Sequence, residues 1–187
     1  STLCLFIPNT YEMWWNSSPA ELLERMWKEQ RRFWNEIRLA RAEALGLSPT
    51  AVYILASIVE KETLVAAEKP RIAGVYLNRL RLGMPLQADP TVVFALQAFD
   101  KERILYRDLE VDSPYNTYRY GGLPPGPICM PEISTIDAVL QPESHDYLYF
   151  CALPDNSGGH AFAKTLAAHN ENARRFQQWL NTRGVFR

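Results

Sequence analysis

Ser48-Pro49-Thr50-Ala51-Val52-Tyr53-Ile54-Leu55-Ala56-Ser57-Ile58-Val59-Glu60-Lys61-Glu62-Thr63 reads as a helix carrying its own start signal. A serine able to cap is followed by proline at the first helical position, where its missing N–H is not needed. At about 100° per residue, Ala51, Val52, Ile54, Leu55, Ile58, Val59, Val65 and Ala66 gather on one face. Glu62 falls near the centre of that face, one turn beyond Ile58, whereas Glu60 points the opposite way and is expected in solvent. Aliphatic surroundings disfavour a charged carboxylate, so the Glu62 pKa is expected above the usual value of about 4.3, toward what a general acid needs. The same position also suits a structural glutamate satisfied by a tyrosine, an arginine or a backbone group, and geometry alone does not separate the two.

With 187 residues, 47% of them hydrophobic and 22% charged, the chain can fill one core and has no signature of disorder. A formal net charge of −1, with basic residues interleaved among acids, gives no global reason to bind nucleic acid. Trp14, Trp15, Trp27 and Trp34 form one aromatic stretch and Tyr115, Tyr118 and Tyr120 another. Either could offer flat faces to sugar rings, and core packing is the expected use of the first. Cys4, Cys129 and Cys151 are an odd number without ligand-like spacing, so they indicate neither a disulfide framework nor a zinc site and are expected to be buried. No run approaches the roughly 20 apolar residues of a membrane span. The chain starts without methionine, and the expectation is a fragment whose anchor or export signal lies upstream.

Leu3 to Pro8 reads as a strand and Pro19 to Gly46 as one long amphipathic helix whose wet face carries Glu21, Glu24, Lys28, Arg31 and Arg32. Further helices are predicted over Arg71 to Leu82, from Asp89-Pro90 to about Ala98, around Ser134 to Leu140, and from Leu166 to Asn181, the last turning Phe176, Trp179 and Leu180 inward. Leu105 to Ile128 is too rich in proline and glycine for regular structure, and a long ordered loop is a functional hint. Tyr147 to Ala152, the turn Asp155-Asn156-Ser157-Gly158-Gly159, and His160-Ala161-Phe162 predict a hairpin. The architecture expected is α+β, helices dominating, with a small antiparallel element from that hairpin and the N-terminal strand. The chain shows neither an internal repeat nor a linker, so 1–187 is read as a single unit.

Ser57-Ile58-Val59-Glu60-Lys61-Glu62-Thr63 resembles the helix motif of lytic transglycosylases, in which a catalytic glutamate ends a helix and Ser or Thr follows. Five further motifs stand in order: Asn78-Arg79-Leu80, Leu86-Gln87-Ala88-Asp89-Pro90-Thr91, Tyr115-Asn116-Thr117-Tyr118, Gly122-Leu123-Pro124-Pro125-Gly126-Pro127-Ile128 and Gly159-His160-Ala161-Phe162. Together they resemble the YceG-like family of endolytic murein transglycosylases over about Phe6 to Leu180. The resemblance implies a lysozyme-like helical core around Glu62, in a catalytic domain separated here from an upstream membrane anchor and wall-binding module. It implies lytic cleavage of peptidoglycan strands between N-acetylmuramic acid and N-acetylglucosamine at the outer face of the cytoplasmic membrane, ending strand elongation, with peptidoglycan synthases as partners. It also implies that Glu62 acts first as acid and then as base, giving a 1,6-anhydro end, with no cofactor and no metal.

Within that frame Asp89 is either a second carboxylate or, as its place before Pro90-Thr91 suggests, an N-cap. Asn78 would orient an acetamido group or Glu62, unless it is an exposed helical amide. Tyr115, Asn116, Thr117 and Tyr118 combine stacking faces with hydrogen-bonding groups, as a sugar subsite needs, or else form a self-capped loop. His160 is a substrate contact or a structural hydrogen bond, and His169 on the last helix is expected to pack or cap. The chain departs from the family pattern at Cys129-Met130-Pro131-Glu132, where relatives often carry Asn-Pro-Gly. A hydrolytic muramidase using Glu62 with Asp89, and a glycan-binding module without catalysis, are the competing readings.

Overall fold

The computed structural model describes residues 2–101 and 104–183. In chain order the regular elements are α1 (Pro19–Phe33), α2 (Glu36–Ala44), α3 (Pro49–Glu62), α4 (Lys69–Arg81), α5 (Asp89–Leu96), α6 (Ile133–Leu140), β1 (Tyr149–Ala152), β2 (His160–Ala163) and α7 (Leu166–Thr182). Short 3-10 turns occupy Thr2–Leu5, Ala66–Glu68 and Tyr106–Glu110. The architecture is α+β with helices dominating, as the sequence predicts. Among the described residues no single helix is long and apolar enough to cross a membrane.

Helix α3 is the centre of the core. Ser48 caps it, accepting the Ala51 N–H at 3.1 Å, and Pro49 occupies its first turn. Every residue from Val52 to Val59 is buried, so the helix is enclosed on all sides rather than along one stripe, because α2, α4, α5, α6 and the Thr2–Leu5 turn surround it. Two polar groups inside this core are fully used. Tyr53 donates to the Phe6 carbonyl at 2.8 Å, and the Ser57 hydroxyl donates to Ile54 O at 2.7 Å while accepting the Ile128 N–H at 3.0 Å. The Cys129 thiol also donates to Ser57 O, so the proline-rich loop is pinned to the centre of α3.

Glu60 corrects an expectation. It is not solvated: Lys69 Nζ binds both its oxygens at 3.1 and 3.2 Å, Thr135 donates to it, and the Glu132 N–H adds a fourth bond at 3.2 Å. Burial alone would raise its pKa, but Thr135, Lys69 and the Glu132 N–H together hold it below the ordinary carboxylate value. The opposite face of α3 is therefore an ion-paired joint between α3, α4 and α6. Arg38 and Asp137 make a second joint from α2 to α6, two parallel bonds of 2.9 and 3.0 Å.

The remaining differences have local causes. The N-terminal segment is a 3-10 turn rather than a strand, for the described sheet has only the two hairpin strands and offers it no partner edge. The predicted long helix breaks at Trp34, because Asn35 caps a new helix by accepting the Arg38 N–H at 3.0 Å. That break lets Phe33 and Trp34 both turn into the core. Trp14 and Trp15, expected to pack inward, are 83% and 95% exposed, and Trp27 is exposed as well. Helix α3 stops at Glu62, so Val65 and Ala66 lie beyond its apolar face. The three cysteines are free and half-buried rather than buried. In α7 only Leu180 is buried, whereas Phe176 and Trp179 stack on each other with centroids 5.8 Å apart.

The predicted hairpin is present, pairing Tyr149 with Ala163 and Ala152 with His160, and α7 packs across it. Its approach to α4 depends on Gly74, where a Cβ would meet Glu143 O and His145 Nε2 at 2.7 Å each. Since Lys69 and Glu60 stabilise each other in a poorly hydrated joint, removing one strands the other. Lys69→Met is expected to lower the unfolding free energy by on the order of 2–3 kcal/mol, and adding Glu60→Gln to recover part of it. Urea denaturation checks this, and a loss below about 0.5 kcal/mol, the range of surface pairs, would contradict the joint.

Candidate active site

Glu62 is the last residue of α3, where the helix presents its negative end and a nearby carboxylate gains nothing from the dipole. The side chain leaves the core sideways into a cleft of about 370 Å³. From α4, buried Tyr76 donates its hydroxyl to Glu62 Oε1 at 2.6 Å. Burial pushes the Glu62 pKa up to about 7; the Tyr76 hydrogen bond opposes this, the charge of Asp89 adds to it, and Arg79 opposes it. A carboxyl group half-protonated near neutrality is thus held open to a cavity.

Arg79, one turn after Tyr76 on α4, lines the same cleft and is buried. Its guanidinium is held by oxygens without formal charge: Leu148 O at 2.7 Å, Pro85 O at 3.1 Å, Leu86 O at 3.0 Å and Gln87 Oε1 at 3.1 Å. Among the described residues no carboxylate is ion-paired with it, so its charge is available to the cleft. Gln87 sits at φ 52°, a left-handed conformation costly for a residue with a side chain, and its N–H is tied to Thr117 O at 3.0 Å. Leu86 and Gln87 form one edge of the cleft, Tyr149 and Phe150 of β1 another, and Leu166 and His169 of α7 close it.

Asp89 lines the cleft but does not cap its helix. Ala88 occupies the N-cap position, the Thr117 hydroxyl accepts the Ala88 N–H at 3.0 Å, and the Thr91 hydroxyl donates to Ala88 O at 2.7 Å. These bonds fix the turn without Asp89, whose Oδ1 instead accepts the Tyr118 hydroxyl. Burial first, and then that bond, push the Tyr118 pKa up, so Tyr118 remains a donor. On the far side of this pair lies a smaller hollow of about 260 Å³ walled by Leu105, Tyr106 and Leu109.

Of the residues singled out from sequence, Glu62, Asp89 and Tyr118 meet in the cleft; the other five do not line it. Asn78 spends its amide on His145 O and Tyr147 O, at 2.8 and 3.0 Å, and accepts from Arg81. Asn116 and Thr117 are buried and act inside the loop: Asn116 bonds Leu109 O, Val111 O and the Tyr118 N–H, and Thr117 holds Ala88. Tyr115 packs on Phe94 at 4.7 Å. His160 is clamped by Glu68 through its backbone N–H at 3.0 Å and Nδ1 at 2.8 Å. Arg79 and Gln87 were overlooked as individuals although both stand inside motifs quoted for the family resemblance, and no local signal marked Tyr149 or His169 as neighbours of Glu62.

A larger hollow of about 570 Å³ lies beside Trp14, and two of its three charged residues, Glu21 and Arg25, are engaged with neighbours along α1 and its cap. Glu21 closes a capping box with Ser18, and Arg25 pairs with Glu29 at 2.7 Å. The Glu62 cleft joins an acid held partly protonated to a cation without a carboxylate partner among the described residues and to aromatic walls.

The chain is similar to known proteins along most of its length. An endolytic murein transglycosylase of Bacillus subtilis (strain 168) is 49% identical over 117 residues, covering 63% of this chain and 32% of the relative. One of Streptococcus pneumoniae serotype 2 (strain D39) is 32% identical over 136 residues, 71% of this chain and 24% of the relative. The chain thus spans a third or less of the length of these curated relatives. A crystal structure of a yceG-like protein from Listeria monocytogenes superposes with a TM-score of 0.75 at 41% identity, covering 88% of this chain and 53% of that one. The sequence model of the YceG-like family matches residues 1–175, a span that contains every residue lining the Glu62 cleft, and the chain belongs to that family.

Proposed function

We propose that the chain is the catalytic unit of a peptidoglycan lytic transglycosylase, with Glu62 as its acid and base. The observation that carries this reading is a carboxyl with a pKa of about 7, hydrogen-bonded to Tyr76 and open to a cleft large enough for sugar rings. Protonated Glu62 donates to the glycosidic oxygen between N-acetylmuramic acid and N-acetylglucosamine as that bond breaks. The resulting carboxylate accepts the proton of the muramoyl 6-hydroxyl as its oxygen attacks the anomeric carbon, and a 1,6-anhydro end forms without water. Arg79 favours the charged form of Glu62 and so stabilises the enzyme between the two steps, whereas Asp89 favours the protonated form needed for the first. Tyr118, Tyr149 and Phe150 supply aromatic surface for the rings, and Tyr76 fixes the orientation of the carboxyl.

The murein transglycosylase names of the relatives support the substrate class. In the whole protein this unit is proposed to act in the cell envelope at the outer face of the cytoplasmic membrane. An upstream anchor and wall-binding module would tether it there, and it would end nascent strands beside their synthases. Asn78, Asn116 and Thr117 are proposed to act through the backbone they hold, and Asp89 and Tyr118 to meet the substrate.

One observation favours a second reading. Asp89 is a second carboxylate in the same cleft, as a hydrolytic muramidase would need. The products separate the two. Digestion of long glycan strands is expected to give anhydro ends, one water lighter than the reducing ends left by hydrolysis, and Glu62→Gln is expected to reduce cleavage by at least about 10³-fold. Reducing ends would support hydrolysis, and unchanged cleavage by Glu62→Gln would remove its catalytic role. Because the acid must be protonated in the free enzyme, kcat/KM is expected to be level below pH 7 and to fall about tenfold per pH unit above it. Asp89→Asn removes a charge that raises the Glu62 pKa, so the descending limb should move to lower pH with cleavage retained. Complete loss of cleavage in Asp89→Asn would make Asp89 a second catalytic carboxylate.

A further inference from the structure

The Asp89–Tyr118 pair belongs to two hollows at once. It lines the Glu62 cleft, and it lines the neighbouring hollow of about 260 Å³ whose other walls include Leu105, Tyr106 and Leu109. The two hollows meet at these side chains, so an extended ligand in the cleft reaches the second hollow by passing them. There it finds an aromatic ring in the open, for Tyr106 is 92% exposed. The turn that carries Tyr106 is nevertheless fixed on both sides. Buried Asp108 accepts the Leu105 N–H at 2.7 Å and pairs with Lys101 at 2.6 Å, and the Asn116 amide donates to Leu109 O at 2.8 Å. A ring presented on a backbone already ordered spares a ligand the cost of ordering that backbone. Asp89 has unused capacity as well: Oδ1 accepts from Tyr118, and among the described residues the other oxygen has no hydrogen-bond partner. A carboxylate only accepts, so what completes it is a donor.

We propose that this hollow is a further sugar subsite of the cleft, in which one N-acetylated sugar of the strand lays a C–H face on Tyr106 and donates from a hydroxyl or its acetamido N–H to Asp89. Such a sugar brings both parts the hollow asks for, an apolar face for Tyr106, Leu105 and Leu109 and donors for the carboxylate. The volume lies just under the roughly 300–1,000 Å³ of sites that hold drug-sized ligands, which suits one ring and not two. Asp89 and Tyr118 then stand between two sugars of one strand, and the grip on a long strand exceeds the grip on a short one.

The inference rests on the glycan-cleaving reading of the cleft, and its test separates the two. The probes are the β-1,4-linked dimer and hexamer of N-acetylglucosamine, titrated into the full chain carrying Glu62→Gln so that no cleavage intervenes. Adding Tyr106→Ala is expected to raise the hexamer dissociation constant about three- to tenfold, the range of one aromatic contact, to narrow the affinity gap between hexamer and dimer, and to be rescued by Tyr106→Phe. On cleavable strands with Glu62 in place, Tyr106→Ala is expected to raise KM with little change in kcat, and an equal loss in kcat and kcat/KM would contradict a binding role. Hexamer affinity unchanged by Tyr106→Ala overturns the inference, and so does a loss seen only on strands that carry stem peptides, which would give the hollow to the peptide. In either case anhydro ends released by the parent chain leave the glycan reading intact. A hexamer that does not bind overturns the inference, and strands left uncut as well overturn both.

Discussion

The hydrogen bond between Tyr76 and Glu62 is the constraint around which the rest of the molecule is organised. A carboxyl at the C-terminal end of a buried helix is unfavourable when charged, and Tyr76 offers it one neutral donor rather than a counter-ion. Burial therefore wins over the hydrogen bond, and the pKa settles near neutrality. Had the Lys69 ammonium stood here instead of two residues' reach away at Glu60, the same carboxyl would be a permanent anion. Two glutamates on successive sides of α3 are thus given opposite electrostatic fates by what α4 presents to each. Lys69 begins α4 and serves the joint, whereas Tyr76 and Arg79, further along it, serve the cleft.

The walls are held to the same standard. The loop from Leu105 to Ile128 is largely irregular, yet it is bonded inward: the Asn116 amide to two carbonyls, the Thr117 hydroxyl to the start of α5, and the Ile128 backbone N–H to the Ser57 hydroxyl at the centre of α3. That bonding delivers Tyr118 to Asp89 and leaves Gln87 in a strained conformation from which it can hold Arg79. On the other side, Gly74 and Asn78 seat the segment that leads into the hairpin, and the hairpin carries Tyr149 and Phe150 to the cleft. Most of the residues that shape the cleft never face it.

Much of this could be read from sequence where a signal is local. Ser48-Pro49 announces α3, the strand-like run from Tyr147 to Ala152 and the glycines before His160 announce the hairpin, and helical spacing places Glu62 against apolar neighbours. What failed was long-range. The solvated reading of Glu60 assumed that the side of α3 opposite Glu62 meets water, but α6 covers it, and nothing near Glu60 announces Thr135. The Asn35 cap was visible in principle and was masked by a helical pattern running through it. The loop residues Asn116 and Thr117 look like a sugar subsite because amides and hydroxyls that hold a loop are the same groups that hold a sugar. His169 joins the cleft only because α7 folds back across the hairpin, a juxtaposition that no spacing along the chain records.

The environment of Glu62 keeps it partly protonated at neutral pH, and titration of its side-chain carboxyl by carbon NMR tests that directly. The assignment is made by comparison with the Glu62→Gln protein. A midpoint near 7, falling when Arg79 is left in place and Asp89 is replaced by Asn, is the result predicted. A midpoint near the ordinary glutamate value of about 4.3 would contradict it, because a carboxyl already ionised at neutral pH has no proton to give.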